Sequence, residues 1–234
     1  MPRALSGSAV KSWLEVVDSA HRIRHRSDDT RRTVIDNEVH SRSPHADALF
    51  DLLRSRRSVF DFLPDPVPDV LLERAIDAGR FAPNHKLTEP WRFTIIGPEA
   101  KQDIAAAWSE VKQRKLPAEA SEERRDQART AAREKWMSKP AVVAVSQALD
   151  DDPARREEDY AAIACAIQNI QLAAWALGLG CQWSTTAATR DPEVMRRASI
   201  PKSERVVGFL FLGYAAAVPE AQRKPLEEVL RRTP

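Results

Sequence analysis

The sequence predicts an α+β domain, and three observations support this fold class. Three strongly apolar segments, rich in β-branched and aromatic residues, are typical of strands: residues 91–96, 140–146 and 205–214. Segments between them carry apolar residues at the spacing of helices. The chain has 234 residues, of which 43% are hydrophobic, and this is enough for one sizeable core.

Charge and cysteine content argue against several classes of protein. Lysine and arginine total 36 against 34 acidic residues, and a net charge of +2 gives no case for nucleic-acid binding. Cys165 and Cys181 are too few for a disulfide scaffold and lack metal-site spacing. We expect reduced, buried thiols in a cytoplasmic protein, with a redox pair as the less favoured alternative. No signal peptide is expected, because no apolar segment precedes a small-residue cleavage site.

Residues 1–46 are predicted to form an N-terminal extension ahead of a domain at residues 47–234. Residues 12–23 have helical apolar spacing, and a mostly basic stretch follows at residues 21–32. This stretch either contacts an acidic partner or membrane surface, or is a solvated helix or arm packing on the domain or across a dimer. The second reading is favoured because the run is short and mixed in sign. Four histidines without ligand spacing are expected to be exposed: His21, His25, His40 and His45.

The first part of the domain contains two predicted helices and a strand. Residues 47–54 and 69–81 have one apolar face each, with Asp69 placed as the N-cap of the second helix and Pro83 as its stop. The strand at residues 91–96 ends before Gly97-Pro98.

A long, strongly charged stretch at residues 101–139 is predicted to contain two helices separated by Pro117. It is interpreted either as a lid over a site or as a solvated helical hairpin with a thin apolar face. Trp108 or Trp136 could line a substrate pocket, although a tryptophan packed as a hydrophobic anchor is more common.

The second half predicts a buried helix between strands. Residues 150–158 form a polar connection, and residues 160–177 are apolar almost all round. Gln168, Asn169 and Gln171 in mid-helix favour a core helix over a membrane span. Gly178-Leu179-Gly180 is a helix C-cap, since a helix precedes it and no third glycine follows as in a dinucleotide turn. Residues 181–186 form a short strand or loop, and residues 191–197 a short helix.

Two clusters of polar residues stand out as candidate binding groups. Arg56, Arg57 and Ser58 offer two guanidiniums and a hydroxyl, which suit a phosphate or another anion. Asn84 and His85 lie on a proline-bounded turn in front of a strand. Taken singly, each of these residues is explained equally well as an exposed surface or turn residue.

In order along the chain, these motifs resemble the flavin-dependent nitroreductase family, in its compact bacterial NAD(P)H nitroreductase subgroup. The opening signature comprises Arg56-Arg57-Ser58, Pro66-Val67-Pro68, Ala82-Pro83-Asn84-His85-Lys86 and Pro90-Trp91-Arg92-Phe93. The closing signature is a strand ending in Gly213-Tyr214, a gap, and Arg223-Lys224-Pro225-Leu226. The resemblance covers residues 48–230.

The resemblance implies a central mixed β-sheet flanked by helices, in an intertwined homodimer with two FMN sites at its interface. Arg56, Arg57, Ser58 and Arg223 would hold the phosphate and ribityl end, with Lys224 a weaker candidate. Two residues would approach the flavin from the partner subunit, namely Asn84 and His85. Three would lie along its ring, namely Trp183, Ser184 and Thr185.

The resemblance also implies the reaction. NAD(P)H would reduce FMN by hydride transfer, the nicotinamide would leave, and a nitroaromatic, quinone or similar conjugated acceptor would follow in ping-pong order. The chemistry lies on the cofactor, so no catalytic side chain and no metal are expected. His85 has no evident carboxylate or serine partner in the sequence and is not predicted to act as a base.

Three positions depart from the family pattern. Leu87 and Glu89 stand where many members carry Asn and Gln, and Phe60 stands where members often carry Lys. These departures leave alternatives open: a flavin-binding storage or regulatory protein without turnover, an interaction protein acting through residues 1–46, and a specialised flavin oxidase or dehydrogenase.

Overall fold

The computed structural model describes residues 45–233. The predicted helix at residues 12–23, the basic stretch at residues 21–32, and His21, His25 and His40 lie outside the described residues. His45 precedes the first described helix as its N-cap residue.

The described residues contain six α-helices, each close to a segment with helical spacing. Their bounds are α1 (Ala46–Ser55), α2 (Asp69–Gly79), α3 (Pro98–Arg114), α4 (Glu122–Met137), α5 (Pro153–Ala176) and α6 (Pro192–Arg197). Every one of these helices is too short or too polar to cross a membrane.

Four antiparallel strands form one sheet: β1 (Trp91–Ile95), β2 (Ala141–Ala148), β3 (Gly180–Ser184) and β4 (Glu204–Gly213). Their order across the sheet is β1-β2-β4-β3. A β-bulge between Val145 and Ser146 shifts the register of β2 against β4. An isolated parallel bridge joins Ser58 to Cys181 and adds a parallel pairing at the β3 edge. The predicted α+β class is confirmed.

Helices cover both faces of this sheet, so the domain has three layers. The alternation of side chains along a strand sends neighbouring residues of β2 and β4 to opposite faces. One face, including Val143 and Leu210, packs mainly against α2 and α5. The other, including Val142 and Phe209, packs against α3, α4 and α6. Burial on both faces explains why these two strands are apolar almost without interruption.

Helices α3 and α4 form the second layer, in which α3 buries Ile104 and Trp108 and α4 buries Ala132 and Trp136. The apolar face of α4 is thin, as one of the two interpretations expects, and the interpretation as a lid stays a prediction. Trp136 lies edge-on to two strand residues, with ring centroids 5.0 Å from Phe209 and 5.3 Å from Phe211. Trp108 and Trp136 are both buried. The prediction that these tryptophans act as hydrophobic anchors is therefore confirmed, since each large ring buries apolar area against the sheet.

Several predicted boundaries are wrong for a local reason. Helix α5 begins at Pro153, inside the predicted polar connection, because Asp152 caps it by accepting from the backbone N–H of Ala154 at 2.9 Å. The N-cap of α2 is Pro68, and Asp69 is the first helical residue. Gly178, with φ of 85°, lies just after α5 as the predicted C-cap glycine.

The prediction that both thiols are buried is correct for Cys181 and wrong for Cys165. Cys165 lies on a face of α5 that neither the sheet nor α2 covers in this chain. The helix is thus buried along one stripe, and its other face is exposed or half-exposed.

Candidate functional site

The Arg56-Arg57-Ser58 segment leaves the end of α1 and runs along the edge of β3. The backbone N–H of Val59 donates to the Cys181 carbonyl at 3.1 Å. Gly180 permits this close approach, since a Cβ there would lie 2.7 Å from Cγ2 of Val59. The three predicted anion-binding residues are therefore fixed beside the strand that leads to Trp183.

Arg57 points inward and holds the local backbone. Only 8% of the residue is exposed, and its Nη1 donates to the carbonyls of Arg54 at 2.6 Å and Arg56 at 2.9 Å. These bonds fix the turn that follows α1. Arg57 therefore supports the backbone of the segment. The other two predicted anion-binding residues are Arg56 and Ser58, and Ser58 is exposed.

Arg56 has buried donors without partners. Its Nε and Nη1 are buried and donate to no hydrogen-bond acceptor among the described residues. Burial lowers the pKa of the guanidinium, Cys181 opposes that shift, and the positive charge of Arg223 lowers the pKa further. Unpaired buried donors on a half-buried cation are costly, and a nearby anion with several acceptor oxygens would offset part of that cost.

Arg223, the first residue of the Arg223-Lys224-Pro225-Leu226 signature, lies near Arg56. Its charge influences Arg56 across a large sequence separation, so the two guanidiniums lie within electrostatic reach of each other. Arg223 is exposed, and its Nη1 donates to the Gln222 carbonyl at 3.1 Å. The neighbouring Lys224 is paired with Glu228 at 3.4 Å. Arg56 and Arg223 therefore lie close enough for their charges to interact, whereas the Lys224 ammonium forms an ion pair with Glu228.

Trp183, Ser184 and Thr185 follow directly along β3. Trp183 lies over β4 at Gly208, where a Cβ would stand 2.1 Å from its Nε1. That Nε1 is buried and has no hydrogen-bond partner among the described residues. Ser184 is buried and Thr185 is exposed. This segment therefore places two hydroxyls near the edge that carries Arg56, whereas the unpaired N–H of Trp183 faces the sheet.

The Asn84–Glu89 loop is held in an unusual backbone conformation. Lys86, Leu87 and Glu89 have φ of 55°, 53° and 44°, values that residues with a side chain seldom adopt. The Oδ1 of Asn84 accepts from the Glu89 backbone N–H at 3.0 Å and fixes the turn. Strained backbone of this kind clusters at functional sites, and it supports the prediction that this loop carries binding residues.

Helix α5 supplies two carboxylates to this loop that the sequence reading missed. The Nδ1 of His85 lies 2.8 Å from Oε2 of Glu158, and Thr88 donates to buried Asp159 at 2.7 Å. The hydrogen bond from His85 lowers the pKa of Glu158. The expectation that His85 lacks a carboxylate partner is therefore wrong. The Asp152-Pro153 helix-start signal would have placed Glu158 on α5, but no local signal indicates its contact with this loop.

The predicted site residues form two clusters at opposite ends of α5. Ser55, next to Arg56, accepts from Nε1 of Trp175 at 3.1 Å near the C-terminal end. His85 contacts Glu158 near the N-terminal end. Seventeen residues of helix separate these contacts, which corresponds to about 25 Å. One chain alone therefore does not bring the Asn84–His85 pair to the arginine cluster.

The chain is similar to known proteins over most of its length. The sequence profile of the nitroreductase family matches residues 53–214. A protein of Bacillus subtilis (strain 168) named "Putative NAD(P)H nitroreductase YfhC" is 29% identical over 188 residues, which are 80% of this chain and 92% of YfhC.

Solved structures share the fold. A nitroreductase-like family protein from Bacillus cereus is 30% identical, with a TM-score of 0.68, and the match covers 84% of this chain and 98% of that chain. A nitroreductase with bound FMN from Bacteroides fragilis is 22% identical, with a TM-score of 0.61 over 79% of this chain and 98% of that chain. The profile match over more than half of the residues, together with this fold, shows that the chain belongs to the nitroreductase family.

Proposed function

We propose that this protein is an FMN-dependent oxidoreductase that uses NAD(P)H to reduce nitroaromatic, quinone or similar conjugated acceptors in ping-pong order. Membership of the nitroreductase family supports an oxidoreductase. The name of the Bacillus subtilis relative supports NAD(P)H as the donor, and the FMN bound to the Bacteroides fragilis nitroreductase supports the cofactor.

The observation that carries the proposal is the unpartnered guanidinium of Arg56. Arg56 is half-buried with two unpaired buried donors, and the positive charge of Arg223 lies within electrostatic reach, so two guanidiniums are available to one anion. The phosphate of FMN offers oxygens to both arginines and carries the charge that the site needs. The exposed hydroxyl of Ser58 lies on the same segment and adds a donor. These residues therefore fit the phosphate end of the cofactor.

The ring end of the cofactor is assigned to the β3 segment. The hydroxyls of Ser184 and Thr185 offer donors to the polar edge of a flavin, with the half-buried Trp183 next to them on the segment. When bound, FMN would supply the redox chemistry by accepting a hydride from NAD(P)H and passing reducing equivalents to the acceptor. The protein binds and orients these partners, and no side chain is assigned a catalytic role.

A homodimer is part of the proposal, because one chain separates the two clusters. Helix α1 has no buried residue in the single chain, and about half of the surface of Leu49 and Phe50 is exposed, at 52% and 51%. An apolar helix face of this kind is stabilised by a partner that covers it. In a dimer, Asn84 and His85 of one chain would reach the cofactor held by the other.

The proposal includes the domain division and the location. Residues 47–234 form the FMN-binding domain, residues 1–46 are an extension outside it, and the protein acts in the cytoplasm on a small-molecule acceptor. The flavin content and mass of the purified protein test the assembly. We expect two FMN molecules for each dimer. A monomer that binds one FMN at full affinity would contradict the proposal that both chains build each site.

A further inference from the structure

A cavity of about 460 Å³ lies between α3, α4 and the end of β3. This volume is within the range of small-molecule sites, which is about 300–1,000 Å³. Its lining residues combine aromatic, small and basic side chains: Trp108, Lys112, Lys115, Leu116, Ala128, Ala131, Ala132, Lys135, Trp136, Ser184, Thr186 and Phe211. None of these twelve residues is acidic.

The floor of this cavity is apolar and contains packed aromatic rings. Trp136 is fixed by its edge-on contact with Phe211 at 5.3 Å between ring centroids. Alanines 128, 131 and 132 line the α4 side, and their small side chains leave the space open. A floor of aromatic edges and methyl groups suits a flat apolar ligand, because buried Trp136 and the three alanines have little side-chain freedom to lose on binding.

The rim carries three lysines with no described counter-charge. Lys112, Lys115 and Lys135 are exposed, and among residues 45–233 none of them forms an ion pair with a carboxylate. The Nζ of Lys112 lies 5.0 Å from the centroid of the Trp108 ring. Other cations of the same two helices do have acidic neighbours, such as Arg129 with Asp126. The rim is therefore a concentrated positive field above an apolar floor.

We propose that this cavity binds small aromatic carboxylates, with the ring on the floor and the carboxylate at the lysine rim. Ser184 and Thr186 place the cavity beside the β3 segment assigned to the flavin ring. The cavity therefore selects the electron acceptor. This role in selecting the acceptor rests on the proposed function. The substrate class is an aromatic acid that carries a reducible group such as nitro.

The reaction on such an acceptor balances as a two-electron step. The nitro group takes the equivalent of a hydride from NAD(P)H and one H⁺ from the solvent buffer, loses one oxygen as a water molecule, and becomes a nitroso group. NAD(P)⁺ is the other product. The carboxylate is unchanged, so its only role is recognition by the lysines.

Binding is tested by calorimetry on the full chain, with 1-naphthoate as the probe and 1-naphthamide as its neutral analogue. We expect 1-naphthoate to bind about tenfold more tightly, since its carboxylate forms exposed ion pairs with the lysines that the neutral amide cannot form. The advantage should shrink as salt rises. The double variant Lys112→Met/Lys115→Met should remove most of it, whereas the matched control Lys202→Met should not. Equal affinities for the two probes in the wild type would overturn the proposal.

A second variant tests the floor without changing charge. Ala131 is exposed on α4 and lines the cavity, so Ala131→Phe fills space without burying a new side chain in the core. We expect 1-naphthoate binding to fall at least about tenfold, while the melting temperature stays near that of the wild type. Unchanged 1-naphthoate binding in this variant would show that the ring lies elsewhere.

Turnover separates this inference from the proposed function. With NADPH saturating, we expect kcat/KM for 4-nitrobenzoate to exceed that for 4-nitrobenzamide, and the double lysine variant to abolish the difference. Reduction of both compounds at equal rates would overturn the cavity as the acceptor site while leaving the enzyme assignment intact. A rise in KM for NADPH alone would assign the lysines to the donor and overturn the proposal. If the protein bound 1-naphthoate but neither contained nor took up flavin, the result would support the cavity as an aromatic-carboxylate site and would refute the proposal that FMN is the cofactor.

Discussion

Arg56 provides the sharpest test of the proposed phosphate site, through the substitution Arg56→Met. The methionine keeps an apolar stem and removes two buried N–H donors that have no partner among the described residues. Hydrogen bonds to charged groups contribute about 1.5 kcal/mol each at the lower end, so two give about 3 kcal/mol, or roughly 150-fold in FMN affinity. Removal of an unpaired, partly buried cation should leave the free energy of unfolding of the apoprotein unchanged or higher.

The assay is titration of the apoprotein with FMN, followed by quenching of flavin fluorescence. The matched control is Arg133→Met, which removes an exposed arginine from α4, away from the β3 edge. Urea unfolding of both apoproteins supplies the stability comparison. FMN affinity within about threefold of the wild type in Arg56→Met would refute the phosphate assignment. A loss of more than about 2 kcal/mol in apoprotein stability would show that Arg56 serves the fold instead.

Three further predictions test the surrounding structure. Gly208→Ala should displace the Trp183 indole, change its fluorescence and destabilise the fold by about 1–3 kcal/mol. The control Gly97→Ala should do neither, because no heavy atom lies within 4 Å of the new Cβ. Equal effects of the two substitutions would contradict the close contact between Gly208 and Trp183. Burial raises the pKa of Cys181 to about 12, whereas Cys165 is exposed. A thiol reagent at pH 8 should therefore modify Cys165 well before Cys181. Equal rates of modification would contradict this difference in burial. Hydrogen bonds from Arg196 and Arg197 lower the pKa of Glu193 from 4.5 to about 2, so its contribution to stability is complete above pH 4.5 and is lost as pH falls towards 2. Acid titration of Glu193→Gln should therefore show a shallower decline in this window, and an unchanged slope would contradict the pairing.

Elements with strong local signals could be predicted from the sequence. The apolar runs of β2 and β4 are continuous because helices cover both faces of the sheet, and such runs are recognisable without a structure. The glycine after α5 was assigned correctly because only a residue without a side chain adopts its φ of 85° freely. The order of the arginine and loop motifs along the chain was sufficient to indicate the family.

Contacts between distant parts of the chain could not be predicted. The pairing of His85 with Glu158 joins residues 73 positions apart, and no periodic pattern encodes it. Periodicity also does not reveal which face of a helix remains uncovered, and so Cys165 was assigned to the core. The α3–α4 layer was ambiguous because its buried residues are few and are separated by charged ones, although two of them are tryptophans.

The individual site residues remain predictions of different kinds. Arg56 and Arg223 gain support because the fold brings their charges together from the two ends of the domain. Arg57 gains a different role, since its donors hold backbone carbonyls. Asn84 and His85 require a second chain, and their assignment therefore depends on the proposed homodimer.

The visible absorption spectrum of the purified protein, before and after anaerobic addition of NADH and then NADPH, tests the central claim most directly. The account predicts a bound flavin spectrum that bleaches with at least one nicotinamide and recovers when a nitroaromatic or quinone acceptor is added. A flavin spectrum unchanged by both donors would contradict the enzyme and favour a flavin-binding protein without turnover. A colourless protein that also fails to take up added FMN would contradict the cofactor itself.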